Sequence, residues 1–461
     1  MNRRHFIKRQ VAGTAILAAS GLVHKASAQN LPSPDPNNPD ILDVDVLVVG
    51  GGSAGHVAAI QAGRLGAKTV LLERNSQLGG TTTTGGVNFP GLFHAWGRQY
   101  ISGIGWELVA KTMKVDGKKL QDFSKVPKSH PQHQVRVNAH LYALLAEEAC
   151  LDAGVSLAYY QFPQTIEKIS DGWLVNVVGQ GVQYQLHCRQ IVDCTGSASV
   201  VGILGLERMW SDVRQPGTQM VVFKGFDQEV VKENAALIQK MYDEAIEDGR
   251  LLKGDTWRGN AMAPISGSSG SNHIFGANSS TAATQTQTNL AGRKHVLRML
   301  KFMKTIPGGE NATIDRMMNE TASRETYRIK GESIVTVRDY TTGRIFDDAL
   351  SYSFYPIDLH EEGNGVKPKP LPHGKVPTIP RGALIPKGSK NIMVAGRCLS
   401  SDRLANSAAR VQASCMGMGQ AAAVTAVLAA RSRTTPLDVP LDQIRAKLKE
   451  QGAIVPKGTR V

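Results

Sequence analysis

The chain has 461 residues, 41% of them hydrophobic, with 53 Lys and Arg against 39 Asp and Glu and a formal net charge of +14. That length suits two or more connected lobes rather than one core. Five cysteines make no disulfide framework, no zinc or haem spacing is present and no metal centre is expected, while the basic surplus is spread too evenly to suggest nucleic acid.

Residues 1–28 read as an export signal. Arg3-Arg4-His5-Phe6-Ile7-Lys8 is a basic n-region, Val11–Val23 a weakly apolar run, and Ala26-Ser27-Ala28 a small-residue cleavage site. The apolar run is too short to span a bilayer, so no stable membrane anchor is expected. The Arg-Arg-x-Phe-Ile-Lys string resembles the twin-arginine signal read by that export machinery, which carries folded, cofactor-loaded proteins, and it implies a soluble periplasmic bacterial protein. Removing the signal takes away five basic residues and no acid, lowering the charge from +14 to +9, which fits an anionic substrate or acidic partner. Residues 29–43 read as a linker, without secondary structure over 30–40.

Val44–Val49 is an apolar strand that runs into Gly50-Gly51-Gly52-Ser53-Ala54-Gly55, followed by the helical pattern Ala58–Leu65. A second strand, Thr69–Leu72, ends on Glu73, 18 residues past Gly55, with Arg74 beside it. This order of strand, glycine turn, helix and acidic strand end is a dinucleotide fingerprint. Gly50 allows the tight turn, Gly52 lets a pyrophosphate reach the backbone, and Gly55 permits close packing of helix on strand. The helix start, with Ser53 and Ala54, offers N–H groups and positive dipole to the phosphates, and Glu73 would accept a ribose hydroxyl. NAD and FAD both satisfy this signal.

A Gly/Thr-rich loop follows at Leu78–Gly86, then an aromatic segment with little periodicity, Phe89–Trp106. Residues 138–153 have helical spacing, 155–192 read as a β-meander with turn glycines at Gly172, Gly179 and Gly181, and Gln190–Gly196 is a buried strand ending in a tight turn. Residues 207–350 differ in composition, with a polar helix near 228–248, a Gly/Ser/Asn/Thr-rich stretch at 266–289 and a basic helix near 289–304. Asn391–Gly396 is again a buried strand, and Ser414–Arg431 a helix rich in Ala and Gly, expected to be buried because its residues are small and the run is too short for a span. Gly417-Met418-Gly419-Gln420 looks like a second fingerprint but follows no strand, so it reads as close helix packing. One dinucleotide site remains. The expected fold is α/β: a Rossmann-like binding domain, parallel sheet plus meander, at 44–206 (with 87–136 an active-site excursion) and 351–461, interrupted by an α+β cap at 207–350.

In this order the segments resemble a family of FAD-dependent oxidoreductases related to the flavoprotein subunits of fumarate reductase and succinate dehydrogenase. The most specific strings are Tyr355-Pro356-Ile357-Asp358-Leu359-His360, Ile379-Pro380 through Gly388, Asn391–Cys398, and Arg410-Val411 through Ala422. The resemblance implies FAD, with Gly52, Ser53 and Gly55 on the pyrophosphate, Gly80 and Thr81 along the phosphates and ribityl chain, and Thr195 and Gly196 at the adenine end. It places Gly396 and a helix N-terminus near Met416-Gly417 against the flavin. Two departures stand out. Arg381 directly follows Pro380 where the family often has an aromatic, and Leu399–Leu404 replaces a Ser-Ala-Thr-His-Glu-Ala stretch, so no substrate transfers.

A flavin carries out the electron chemistry, which leaves the protein to orient substrate and move protons. His360 is the leading candidate for proton transfer, with a histidine satisfied inside the fold as the equal alternative. Arg410 and Arg397 are placed to clamp a carboxylate or to lock the two lobes together, and Arg328 matches a family arginine. His94 and Tyr100 read as packing, as do Cys398 and Cys415. The expected activity is hydride transfer between a small organic substrate and FAD, with a separate electron carrier. The alternatives are a flavin lyase or isomerase without net redox, and a non-catalytic flavin-binding protein.

Overall fold

The computed structural model describes residues 34–35, 38–127, 130–267, 269–270, 272–361, 365–366 and 368–457; the export-signal segment lies outside them. An eight-stranded sheet forms the centre. Its strands are β1 (Pro34–Asp35), β2 (Asn38–Val49), β3 (Thr69–Glu73), β4 (Ser156–Tyr159), β5 (Gln161–Ile169), β6 (Gly172–Gly179), β7 (Val182–Asp193) and β8 (Ile392–Val394). The order is β4-β3-β2-β7-β6-β5, with β1 on β2 and β8 on β7.

β4, β3, β2 and the second half of β7 run parallel, and β8 joins in parallel through Ile392 opposite Ile191. The first half of β7 folds back on β6, and β6 on β5, as antiparallel hairpins. One strand therefore belongs to both the parallel sheet and the meander, which is why residues 182–193 are continuous. The pairing Ile41–Gln185, Leu42–Leu186 and Asp43–His187 draws β2 back to Asn38. The segment expected as a structureless linker is thus partly strand, because β7 outruns the apolar core of β2.

Val44–Val49 shows no alternation because both faces of the sheet are covered. Val46 and Val48 face one hydrophobic cluster with α1 (Gly55–Arg64), while Leu47 and Val49 face the other. Each such side chain contributes about 1.5–3 kcal/mol on full burial. Alongside α1 lie α2 (Ile104–Val115) and α3 (Ala139–Asp152). The sequence reading missed α2: Ile104, Leu108, Val109 and Met113 carry its apolar face, but aromatic residues before it hid the period.

A separate hydrophobic cluster includes Val221, Val231, Tyr242, Val296, Phe302 and Ala312. It is built by a hairpin of β9 (Val221–Lys224) and β10 (Thr313–Met317) with α4 (Ala235–Glu247) and α5 (Ala282–Met303). The helix expected near 289 begins seven residues earlier, where Thr281 and Thr284 form a reciprocal capping box. Val335, Tyr340 and Phe346 already pack in the first cluster.

The chain closes with α6 (Arg403–Ala409), α7 (Gln412–Ser432) and α8 (Leu441–Glu450). Among the described residues α7 is the one helix long and apolar enough to cross a membrane, and 89% of its most apolar window is buried in the protein. Burial marks it as a core helix; at 21 residues, shortness does not. A Cβ on Gly419 would overlap the Ala54 carbonyl oxygen, so this glycine lets α7 lie on the start of α1. The second fingerprint-like string is close packing, as its lack of a preceding strand suggested.

Candidate functional site

The glycine turn is built as its spacing requires. Gly50 has φ +94°, a left-handed conformation, and a Cβ there would stand 2.8 Å from the Cys194 carbonyl oxygen. A Cβ on Gly55 would overlap the Gly50 carbonyl oxygen, whereas one on Gly52 would meet nothing within 4 Å. The first two glycine roles are internal to the chain; the third leaves open space. The Gly/Thr loop borders that space: Gly79 N donates to Gly51 O at 2.9 Å, and a Cβ on Gly80 would approach Gly52 Cα at 2.9 Å. Thr81 N–H and carbonyl lie in the same turn, Val87 N donating to Thr81 O at 2.9 Å. Ser53 and Ala54 lead into α1, and Gly396, at φ +106°, lies over Ala54.

Glu73 is buried, and both its oxygens accept backbone N–H groups, from Gly51 at 2.6 Å and Asn75 at 2.8 Å. Burial pushes its carboxyl above the ordinary range, against those two hydrogen bonds. Each oxygen keeps a further lone pair for a ribose hydroxyl. Arg74 next to it is exposed. His56, which the sequence reading passed over, is fully buried beneath the turn. Its Nδ1 is 2.7 Å from Gly52 O, so it donates there, and Nε2 takes the Tyr142 hydroxyl at 2.9 Å. Burial lowers it to about 4.

Five expectations need correction. Thr195 Oγ1 donates to buried Asp193 at 2.7 Å and accepts from Ser199 N at 2.9 Å, so its hydroxyl is spent on shaping the turn. Asp193 also accepts Val200 N and Val201 N, at 2.9 and 3.2 Å. Met416 and Gly417 lie one turn inside α7, which begins at Gln412, so theirs are not the helix's free N–H groups. That start is fixed from the Gly/Thr loop: Thr82 Oγ1 donates to Gln412, Gln412 Nε2 to Val87 O at 2.8 Å and Ala413 N to Pro90 O at 2.8 Å.

Arg397 is the third. It donates to Gly196 O at 2.6 Å, Ser323 O at 2.5 Å and Ser279 Oγ at 2.9 Å, and burial lowers it to about 10. Its guanidinium is a lock between segments, the alternative the sequence had left open. Arg328 is likewise drawn away, donating to buried Glu325 at 3.1 Å and Ser211 at 3.2 Å, while Arg403 takes both Glu325 oxygens. His94 stacks on Phe123 at 4.0 Å against Trp106, and Tyr100 meets Tyr352 edge-on, both as packing. All five cysteines are free and buried.

His360 and Arg410, by contrast, come together. His360 Nε2 lies 3.2 Å from Asp358 Oδ2 and its Nδ1 2.9 Å from His273 Nε2. Gln215 Oε1 accepts from His360 N at 3.3 Å and Arg410 Nη2 at 3.2 Å, and Arg410 Nη2 reaches Asp358 O at 3.4 Å. Arg410 Nε is buried without a hydrogen-bond partner among the described residues. Arg324 Nη1 donates to Pro216 O at 2.6 Å, and burial and then Arg410 lower its guanidinium to about 9. Burial alone would raise Asp358; the His360 hydrogen bond and the positive groups outweigh it and hold the carboxyl at about 2. Burial and then Arg324 bring His360 to about 3 and His273 to about 4. With both its ring nitrogens taken by protein, His360 cannot itself meet a substrate's proton, a correction to its expected direct role. His273, Arg324 and Asp358 were missed as site residues.

Tyr355 links this cluster to open space. Its hydroxyl accepts Gln134 Nε2 at 2.8 Å, and burial raises its pKa. Gln134 and Arg136 share one cavity wall with Lys118. Lys118 and Arg136 also line a cavity of about 400 Å³ with His140 and Arg316, which carries no acidic side chain among the described residues.

Comparison with known protein families matches residues 45–448 to FAD dependent oxidoreductases. The chain belongs to that family. It is 42% identical over 83 residues to a nicotine dehydrogenase of Pseudomonas putida, covering 18% of this chain and 17% of that one. A thiamine thiazole synthase of Methanococcus vannielii is 27% identical over 188 residues, 39% of this chain and 66% of its own length. The chain thus spans less than two thirds of the length of these relatives. Among solved structures, a geranylgeranyl bacteriochlorophyll reductase-like protein of Thermoplasma acidophilum is similar over 88% of this chain and 83% of its own, with 12% identity and a TM-score of 0.40. The chain has the Rossmann-like α/β fold of this FAD-binding family, and the open side of Gly52 fits a pyrophosphate where a Cβ would fill the space.

Proposed function

We propose that this flavoenzyme transfers a hydride between a small organic anion and FAD, with a separate electron carrier completing the cycle. The observation that carries the reading is the charge of the buried cluster: Arg324 and Arg410 face a single carboxylate, Asp358, and one Arg410 donor is unused. A carboxylate or similar anion would satisfy that donor and offset the surplus charge. The acid-free basic cavity beside Gln134 supports approach of the same class of ligand.

The residues proposed to hold FAD are Gly50, Gly52, Ser53, Ala54 and Gly55 at the pyrophosphate, with Glu73 and Arg74 toward the ribose. Gly80, Thr81, the backbone of Thr195 and Gly196, and Gly396 complete the cradle, and the start of α7 offers its dipole. Bound there, FAD supplies a two-electron acceptor or donor of hydride. The chain's own part is to position the substrate through Arg410 and to hold a proton on the histidines. Arg3-Arg4-x-Phe6-Ile7-Lys8 supports export by the twin-arginine route to the periplasm, and the Tyr355–His360 string supports a relation to fumarate reductase flavoproteins.

The test is the visible spectrum of purified protein, followed by anaerobic bleaching with a panel of organic acids and their uncharged amides. Bleaching confined to the acids is expected. A colourless protein, or equal bleaching by the amides, overturns the reading; turnover that persists without any external acceptor would favour a lyase or isomerase instead.

A further inference from the structure

Asp358, His360 and His273 form a hydrogen-bonded chain whose protons can be assigned from its geometry. An ionised carboxylate only accepts, so the 3.2 Å contact with Asp358 requires a proton on His360 Nε2. The neutral ring then has its lone pair on Nδ1, and the 2.9 Å contact there requires a proton on His273 Nε2. His273 in turn keeps its lone pair on Nδ1, which has no hydrogen-bond partner among the described residues. The chain is therefore directional, with a carboxylate at one end and, among the described residues, a ring nitrogen without a partner at the other. His273 and His360 lie 87 residues apart in sequence, so the arrangement exists only in the folded protein.

Resting on the oxidoreductase reading above, we propose that His273 Nδ1 is the proton acceptor of substrate oxidation, with His360 and Asp358 positioning it and storing the charge. In the oxidative direction the substrate's O–H or N–H bond breaks and its proton goes to His273 Nδ1. The His273 Nε2 proton passes to His360 Nδ1, and the resulting imidazolium is paired with Asp358. FAD, when bound, would supply the oxidant that takes the electron pair of the adjoining C–H bond as hydride, leaving a C=O or C=N bond, so that charge balances. Reduction runs the same relay backward.

The surroundings explain why the base acts only with substrate present. Among the described residues, the charged and titratable groups that act on the relay are Arg324, Arg410, Asp358 and, through the arginines, Tyr355. Burial first and Arg324 second hold both imidazoles neutral, at about 3 for His360 and about 4 for His273, with Arg410 adding to the effect on His360. An anion seated on Arg410 offsets that field and raises the basicity of the relay. The substrate's own charge thus switches on the group that deprotonates it.

Two measurements on the holoenzyme test this. With histidine labelled at its ring nitrogens, long-range proton–nitrogen NMR at pH 7.5 should show His273 and His360 neutral and protonated at Nε2; an Nδ1–H tautomer or a charged ring at either position overturns the proton assignment. With any substrate that bleaches the flavin, His273→Ala should retain the flavin spectrum, lower the bleaching rate about 10²–10⁴-fold and recover in part with added imidazole. His273→Gln serves as the variant of closer volume. Asp358→Asn should shift the acid limb of the bleaching pH profile, which a merely structural carboxylate would leave in place. A His273→Ala rate within about threefold of wild type ends the proposal. If no organic acid bleaches the flavin, the oxidoreductase reading fails while the NMR assignment still stands or falls independently.

Discussion

Two glycines five ångströms or so along the same turn should respond in opposite ways to one methyl group, by the ordinary spacing of near-neighbour residues. At Gly52 the new Cβ meets no heavy atom within 4 Å, and the residue is not among those with positive φ. Alanine there should leave the flavin-free fold intact, or stabilise it by about 0.4–1 kcal/mol through the unfolded chain. The same methyl fills the space assigned to the pyrophosphate, so FAD affinity should fall at least about tenfold, ~1.4 kcal/mol. At Gly55 the Cβ would overlap the Gly50 carbonyl oxygen, with the carbonyl carbon at 2.9 Å and Cys194 Cβ at 3.0 Å. Backbone cannot swing aside as a side chain does, so Gly55→Ala should cost the flavin-free protein at least about 1–3 kcal/mol.

Urea unfolding of the flavin-free proteins, followed by circular dichroism, reads the first quantity. Titration with FAD, followed by quenching of its fluorescence, reads the second. The expected pattern is a crossed one: Gly52→Ala stable but unable to hold FAD, Gly55→Ala unstable whether or not FAD is added at moderate concentration. Wild-type affinity in Gly52→Ala, or equal loss of stability in both flavin-free variants, would refute the division between space kept for a ligand and space closed by the chain.

Acid should weaken the fold through His56. Its folded pKa of about 4 lies below the ordinary histidine value of 6.5, so the unfolded state binds more protons between those values. Stability is therefore full above pH 6.5 and is lost as the pH falls toward 4, by ~3 kcal/mol for this one group. His56→Gln should flatten the stability–pH slope in that window by about one proton; an unchanged slope removes His56 as the cause. Arg410→Gln should keep the flavin spectrum and raise KM for an anionic substrate by about 10–100-fold, the worth of a charge-assisted hydrogen bond, with the uncharged amide unaffected. An equal rise for both would mean that Arg410 shapes the site without reading charge.

What was legible in the sequence follows from how locally each feature is determined. The glycine turn and Glu73 were readable because their requirements are backbone requirements between near neighbours, set by φ and by close approach. The strand at 392–394 and the buried α7 were readable from apolar runs, though α7 is long enough to span a bilayer and only its burial decides the matter. The extension of β2 to Asn38 was not readable, since it depends on how far a strand some 140 residues later happens to reach.

The site divides along the same line. Motif position brought forward Arg328, Arg397 and Arg410, and only distances separate them: Arg328 belongs to the buried carboxylate of Glu325, Arg397 to Gly196, Ser323 and Ser279, while Arg410 lies beside Asp358 and Gln215 in the histidine cluster. Arg324 stands four residues before Arg328 in a stretch without sequence period, and its importance comes from a neighbour, Arg410, 86 residues away. His273 sits in a Gly/Ser/Asn/Thr-rich run that reads as loop, and its meaning comes from His360. A protein that must keep its base silent until an anion arrives has to assemble the opposing charges from distant segments, because neighbours in sequence would hold them together whether substrate is present or not. The residues hardest to find in the sequence are, on this reasoning, the ones that make catalysis conditional.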